Sequence, residues 1–181
     1  MFEFQYHLTE DEYLRFNRNC ALHSGSWPKA IRSKRLTPII YSACLVLIAV
    51  FEELWLIAAI AAAVAIPVCL IAWLNAKNSI LRRCDRAVLQ KIKSGSRLYP
   101  AAPGTLTFTE EHIHDENPDL IITCPYHTVE RLILCRGAVY VFYRYMQAFI
   151  LPESAFSGDE ERQALLDLLK EKTQKAVEVW E

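Results

Sequence analysis

Glycine is scarce in this 181-residue chain, five in all, and no stretch reads GxSxG, GxGxxG, GxxxxGK[ST] or HExxH. A loop that cradles phosphate needs glycines at close spacing, and a nucleophile elbow or zinc-protease helix needs its own signature. Ser154, Ser157 and the scattered carboxylates show no spacing that would pair an acid with a base. The chain is therefore expected to be non-catalytic and to use no cofactor. An excess of positive charge is missing too, with 20 Lys and Arg against 21 Asp and Glu. That balance argues against nucleic acid as a partner. Six cysteines (Cys20, Cys44, Cys69, Cys84, Cys124, Cys135) lack CxxC spacing and are expected to be reduced and structural. The start, "MFEFQYHLTEDEY", has no basic segment leading into an apolar core and is not expected to be a secretory signal.

Charge itself is absent from two long runs, "LTPIIYSACLVLIAVF" at 36–51 and "LWLIAAIAAAVAIPVCLIAWL" at 54–74. As helices they reach about 24 Å and about 31 Å. The second spans a hydrocarbon core outright, and the first does so if its helix starts a few residues earlier with Lys34 or Arg35 snorkelling outward. Helices apolar on every side need protein all round them in a soluble fold, and the rest of the chain is too small for that. The expectation is a transmembrane hairpin, about 34–51 and 54–74, with its tip at Glu52 and Glu53.

A carboxylate at the bilayer centre costs about 2.5–3.5 kcal/mol on insertion scales and almost nothing at a wet tip. Phe51 and Trp55 flank the pair as interfacial aromatics do. Lys29, Arg32, Lys34 and Arg35 precede the first run, and Lys77, Arg82, Arg83, Arg86, Lys91, Lys93 and Arg97 follow the second. The tip carries no Lys or Arg. Positive residues stay on the cytoplasmic side, so both termini are expected to be cytoplasmic. Pro67 frees the Ala63 carbonyl, and "AAIAAAV" offers small faces for close packing. With no polar lining in either run, packing is the expected use of both features.

Around the hairpin, "FEFQYHLT" alternates as a strand, and Thr9 with Glu12 has capping-box spacing for a helix over about 10–22. Past the second run the pattern stays helical, with Leu81, Cys84, Val88 and Ile92 on one side and basic residues over the rest. Arg82, Arg83, Arg86 and Lys91 are candidate contacts for anionic lipid headgroups, each worth about 1 kcal/mol near a membrane surface. "SGS" at 94–96 ends that helix, and "PAAPG" at 100–104 reads as a linker.

Short runs at 105–109, 119–123, 128–135, 138–143 and 148–151 then predict an antiparallel meander. A helix capped by Ser157 with Glu160 carries a stripe of Leu165, Leu168, Leu169, Ala176 and Trp180. The regions expected are 1–35, a strand, helix and basic segment; 36–74, the hairpin; 75–99, a basic juxtamembrane helix; and 100–181, the meander with its helix. The fold class is α+β.

Two clusters stand out in the last region. His112 and His114 share a strand face, and His127 or Glu130 could add a third metal ligand. The stretch "HIHDENPD" reads better as an exposed turn broken at Asn117-Pro118, so no metal is assigned. "YVFYRYMQAF" carries more aromatic surface than one sheet face hides. One alternating set fills the core and the other packs under the final helix, or Tyr143, Arg144, Tyr145 and Met146 form a patch for a partner.

The order of elements, with "YHLTEDEYLRF", "GTLTFTEEHI" and "AFILPESAF" opening the final helix, resembles the YcxB-like bacterial membrane proteins over nearly the whole chain. That resemblance implies a cytoplasmic C-terminal domain with a pleckstrin-homology-like partial barrel, and brings no catalytic residues. The expected function is a membrane-anchored binding or scaffold module in a bacterial inner membrane. It would recognise a protein, peptide or lipid headgroup, with the bilayer and a protein partner or second copy as its neighbours. A metal-dependent membrane enzyme or sensor built on His112 and His114, or an accessory subunit of a larger membrane complex, stands as the alternative.

Overall fold

The structure, a computed structural model, describes residues 1–94, 102–118, 120–144 and 147–180. It is α+β, with two long apolar helices and two four-stranded sheets, and divides into two compact units.

The first unit joins residues 1–16 to 90–181. β1 (Phe2–Tyr6), β2 (Gly104–Phe108), β3 (His112–Asn117) and β4 (Leu120–Pro125) pair in sequence order, all antiparallel. β1 belongs to this sheet, so the first residues of the expected 1–35 region are part of the β-structure. "HIHDEN" is a strand and not an exposed turn. The reason lies in its alternation: Ile113 and Asp115 point inward and His112, His114 and Glu116 outward.

The second sheet runs β7 (Gln147–Leu151), β6 (Ala138–Arg144), β5 (Arg131–Cys135), β8 (Val177–Trp180). Arg136 and Gly137 join β5 to β6 with φ of 47° and 83°. Two positive φ values in a two-residue loop make a type I′ turn, whose twist matches the strands it connects. A Cβ at Gly137 would also lie 2.7 Å from the Glu153 side chain, which is exposed and would have to swing aside.

Helix α4 (Asp159–Thr173) stops where Gln174 turns left-handed at φ 57°. The predicted stripe through Ala176 and Trp180 therefore ends early. Residues 177–180 instead form β8, parallel to β5, the crossover connection that a parallel pair requires. The helix start shifts by one as well: Ser157 donates from its N–H and its hydroxyl to Glu161, not Glu160, at 2.7 and 2.8 Å.

Phe4, Leu106, Phe108 and Ile113 from one sheet, Leu132, Val139, Val141 and Leu151 from the other, and Leu165, Leu166 and Leu169 from α4 share one buried core. The opposite face of the second sheet is covered as well. Phe16, on helix α1 (Glu10–Leu22), packs its ring 5.0 Å from Tyr140 and 5.8 Å from Phe142. The second aromatic set thus packs under α1 and not under the final helix. α1 opens on the predicted capping box: Glu12 N–H donates to the Thr9 hydroxyl at 3.3 Å, and Thr9 N–H donates back to the Glu12 carboxylate at 2.9 Å.

The second unit, residues 17–89, is a helical hairpin. α2 (Trp27–Phe51) begins nine residues before the apolar run with Pro28 in its first turn, where a missing N–H costs nothing. α3 (Trp55–Lys93) is 39 residues long, about 58 Å at helical rise. Between them Glu53 N–H donates to the Val50 carbonyl and Leu54 N–H to Ala49, the paired bonds of a Schellman turn. Glu53 holds its left-handed position at φ 59°, where glycine is usual. The helices run antiparallel, with Ser42 Oγ 3.5 Å from Cys69 Sγ.

Candidate functional site

Within the hairpin, polar and apolar surface divide sharply. Twenty of the twenty-four exposed large hydrophobic side chains among the described residues fall between Leu36 and Leu74. Both helices are long and apolar enough to cross a membrane, and only 6% of each apolar window is buried. The residues these helices bury are mostly small, Ala49 and Ala58 near the tip and Ala76 at the far end. Helix α2 continues through Pro38 and α3 through Pro67.

At the end away from the tip, Arg35 and Trp73 face each other. The Arg35 guanidinium carbon lies 4.8 Å from the Trp73 ring centroid. Arg35 Nε is shielded from solvent with no hydrogen-bond partner. Arg35 immediately precedes the first apolar run and Trp73 is the last residue but one of the second, so the pair stands level with the edge of the apolar surface. Arg32 and Lys77, each about one turn further out and exposed, lie at the next level.

Arg82, Arg83 and Arg86, the predicted headgroup contacts, are exposed on the continuation of α3. They lie about 12, 14 and 18 Å past Leu74 at helical rise, and Lys91 about 26 Å past it. At about 100° per residue the three arginines share one side of α3, while Lys91 projects opposite Arg82. Asp85, the one carboxylate on α2 or α3, is engaged by both arms of Arg18 at 2.6 and 2.9 Å.

In the β-unit, His112 and His114 occupy one outward face as expected. The His114 ring is 2.9 Å from the Thr123 hydroxyl and 4.0 Å from Glu116, while His127 sits on a 3₁₀ turn, Tyr126–Thr128. No three His, Cys, Asp or Glu side chains gather as metal ligands among the described residues.

Of the predicted aromatic patch, Tyr143 is half-buried and stacks on Phe149 with centroids 4.6 Å apart, and Arg144 is exposed. Tyr145 and Met146 lie outside the described residues. A shallow groove of ≈ 560 Å³ lies between Leu134 of β5 and Asp159, Glu160, Arg162 and Asp167 of α4. Its charges are largely matched within the helix, Arg162 with Asp159 and Lys170 with Asp167.

A buried polar pair was not foreseen. The Tyr6 hydroxyl donates to Asp115 at 2.9 Å, and Asp115 is 7% exposed. Gly104 allows it: the Tyr6 ring lies 3.0 Å from where a Cβ would stand. Burial pushes the Asp115 carboxyl up, and the bonds from Tyr6 and Asn117 with the charge of His114 partly offset this. The signal available was the alternation of Ile113 and Asp115 in "HIHDEN", which assigns both to one face.

Comparisons with protein-family models, with curated proteins and with solved structures return no match.

Proposed function

We propose that this chain is a membrane-anchored, non-catalytic binding module. In this reading α2 and α3 cross a bacterial inner membrane as a hairpin, with Glu52 and Glu53 on the outer side and both termini in the cytoplasm. The β-unit works next to the membrane as a pleckstrin-homology-like, YcxB-like domain that recognises a protein, peptide or lipid headgroup.

The observation that carries the reading is the exposure of the apolar runs. Leu56 is 76% exposed, Ile66 70% and Leu74 68%, around helices that bury little beyond alanine contacts. An apolar surface that large is unstable in water and fits a lipid surround. The Lys and Arg at the base of the hairpin and their absence from the tip support the orientation. On the β-unit, Arg144 is exposed beside the half-buried Tyr143, so the end of β6 offers a mixed charged and aromatic edge for a partner.

Two measurements test this. The chain should stay in the pellet after carbonate washing and be released by detergent; release by carbonate alone would overturn the membrane reading. A photoreactive amino acid at position 144 should give one dominant protein or lipid adduct in intact membranes. An adduct pattern no different from one at Lys172, exposed on α4, would remove the end of β6 as the binding edge.

A further inference from the structure

We infer that Arg35 and Trp73, flanked by Arg32 and Lys77, bind the phosphate of an anionic phospholipid at the open end of the α2–α3 hairpin. The inference rests on the membrane reading above and adds the ligand that this end of the hairpin takes. Three independent features point to an external anion. First, α2 and α3 hold ten Lys and Arg between them against one carboxylate, Asp85, and Arg18 already binds that carboxylate with both arms. The hairpin therefore supplies no counter-charge to Arg35.

Second, Arg35 is held in place without being satisfied. Its guanidinium stacks on Trp73 at 4.8 Å, and its Nε is shut off from solvent with no acceptor. A positive group left partly desolvated is unfavourable, and an anion held on its outer nitrogens reduces that penalty through charge while Nε itself stays covered. Stacking on an aromatic face also fixes the plane of the fork. A guanidinium presents its outer N–H groups as a fork that takes two oxygens of a phosphate at once.

Third, the level is right. A headgroup layer is about 5–7 Å deep on each side of the hydrocarbon core. Arg35 stands about 2 Å from the edge of its apolar run, Lys77 about 5 Å and Arg32 about 6 Å. Arg82, Arg83 and Arg86 lie beyond that layer on an upright α3 and can add only longer-range attraction, screened over about 10 Å. Exposed Arg32 and Lys77 supply further positive charge where the phosphate would rest.

The shared chemistry is a phosphate oxyanion, and the test separates a lipid from free phosphate. The full chain, extracted in mild non-ionic detergent and delipidated, is titrated with phosphatidylglycerol, phosphatidylcholine or inorganic phosphate and examined by native mass spectrometry. One phosphatidylglycerol should be retained at least tenfold more tightly than phosphatidylcholine. Arg35→Gln should weaken it at least fivefold, and Arg35→Lys should lose most of the same preference because an ammonium lacks the fork. Trp73→Phe, which keeps an aromatic face and the hairpin packing, should weaken it about twofold.

Lys172→Gln, an equal loss of charge on the β-unit, should leave retention unchanged. Equal retention of both lipids, or unchanged retention in Arg35→Gln, overturns the inference. So does Arg35-dependent capture of inorganic phosphate without lipid preference, which would reassign the site to a free anion. If Arg35→Gln does not accumulate, Arg35→Lys and Trp73→Phe decide, and wild-type retention in both overturns it. Carbonate washing of the membranes before extraction separates the failures. A chain that needs detergent for release yet shows no lipid preference sinks this inference alone, whereas release by carbonate sinks the membrane reading beneath it.

Discussion

Asp115 lies on β3 between Leu106 and Ile122, where the sheet register offers it apolar neighbours and the Tyr6 hydroxyl is its close partner. Its carboxyl is raised chiefly by burial, so the folded chain holds that proton more tightly than the unfolded chain does. The contribution of this group to stability is then complete below the unfolded value, about 3.9, and is lost as pH rises through the folded one. Asp115→Asn keeps an acceptor for Tyr6 and should flatten the decline in melting temperature over that window. An unchanged slope would show that another group governs it. Tyr6→Phe leaves the carboxylate without its phenol and should cost about 1–3 kcal/mol at neutral pH, measured by thermal unfolding in detergent.

Glu53 gives a second test at the same scale. A non-glycine residue in the left-handed region costs roughly 1 kcal/mol, so Glu53→Gly should leave the hairpin as stable or more so. Glu53→Pro, fixed near φ −65°, cannot form the turn, and protease resistance of the hairpin should be lost. Retained resistance in the proline variant would contradict the Schellman turn.

Elements that depend on local pattern were legible in the sequence, and those that depend on distant partners were not. The hairpin helices follow from run length, α1 from Thr9 and Glu12, and the β5–β6 turn from Arg136-Gly137. β1 pairs with β2 across roughly a hundred residues, and the split of the strands into two sheets depends on contacts that no local period records. β8 was hidden for a related reason. Its Val177 and Trp180 fit a helical stripe as well as a strand, and Gln174 in the left-handed region decides between them.

Trp180 is 5% exposed, with the Arg131 guanidinium 5.4 Å from its ring and Arg131 bonded to Glu178 at 2.8 Å. Trp180→Ala should therefore cost about 3–5 kcal/mol and expose β5 amides to hydrogen exchange. A surface-like loss below about 0.5 kcal/mol would contradict β8. At the other end of the chain, Thr9→Ala should cost about 1 kcal/mol by removing the capping box, read as a fall in thermal midpoint.

For the whole molecule, the separation of apolar and charged surface organises the account. The hairpin keeps its Lys and Arg at one end and two carboxylates at the other, and its sides are apolar between. The part of the candidate site that was legible was the basic collar, because charge next to an apolar run shows in one dimension. The part that was not is the pairing of Arg35 with Trp73, 38 positions apart, which exists only once the helices fold back on each other.

Labelling at the tip reads the orientation of the hairpin. Glu53→Cys, expressed in a bacterial cell, is treated with a membrane-impermeant maleimide, with the unsubstituted chain as the blank for its six native cysteines. Lys172→Cys reports the side on which the C-terminal unit lies. Position 53 should label in intact cells and position 172 only after permeabilisation. Protection at 53 with labelling at 172 would invert the hairpin, and labelling of both only after permeabilisation would contradict a membrane crossing.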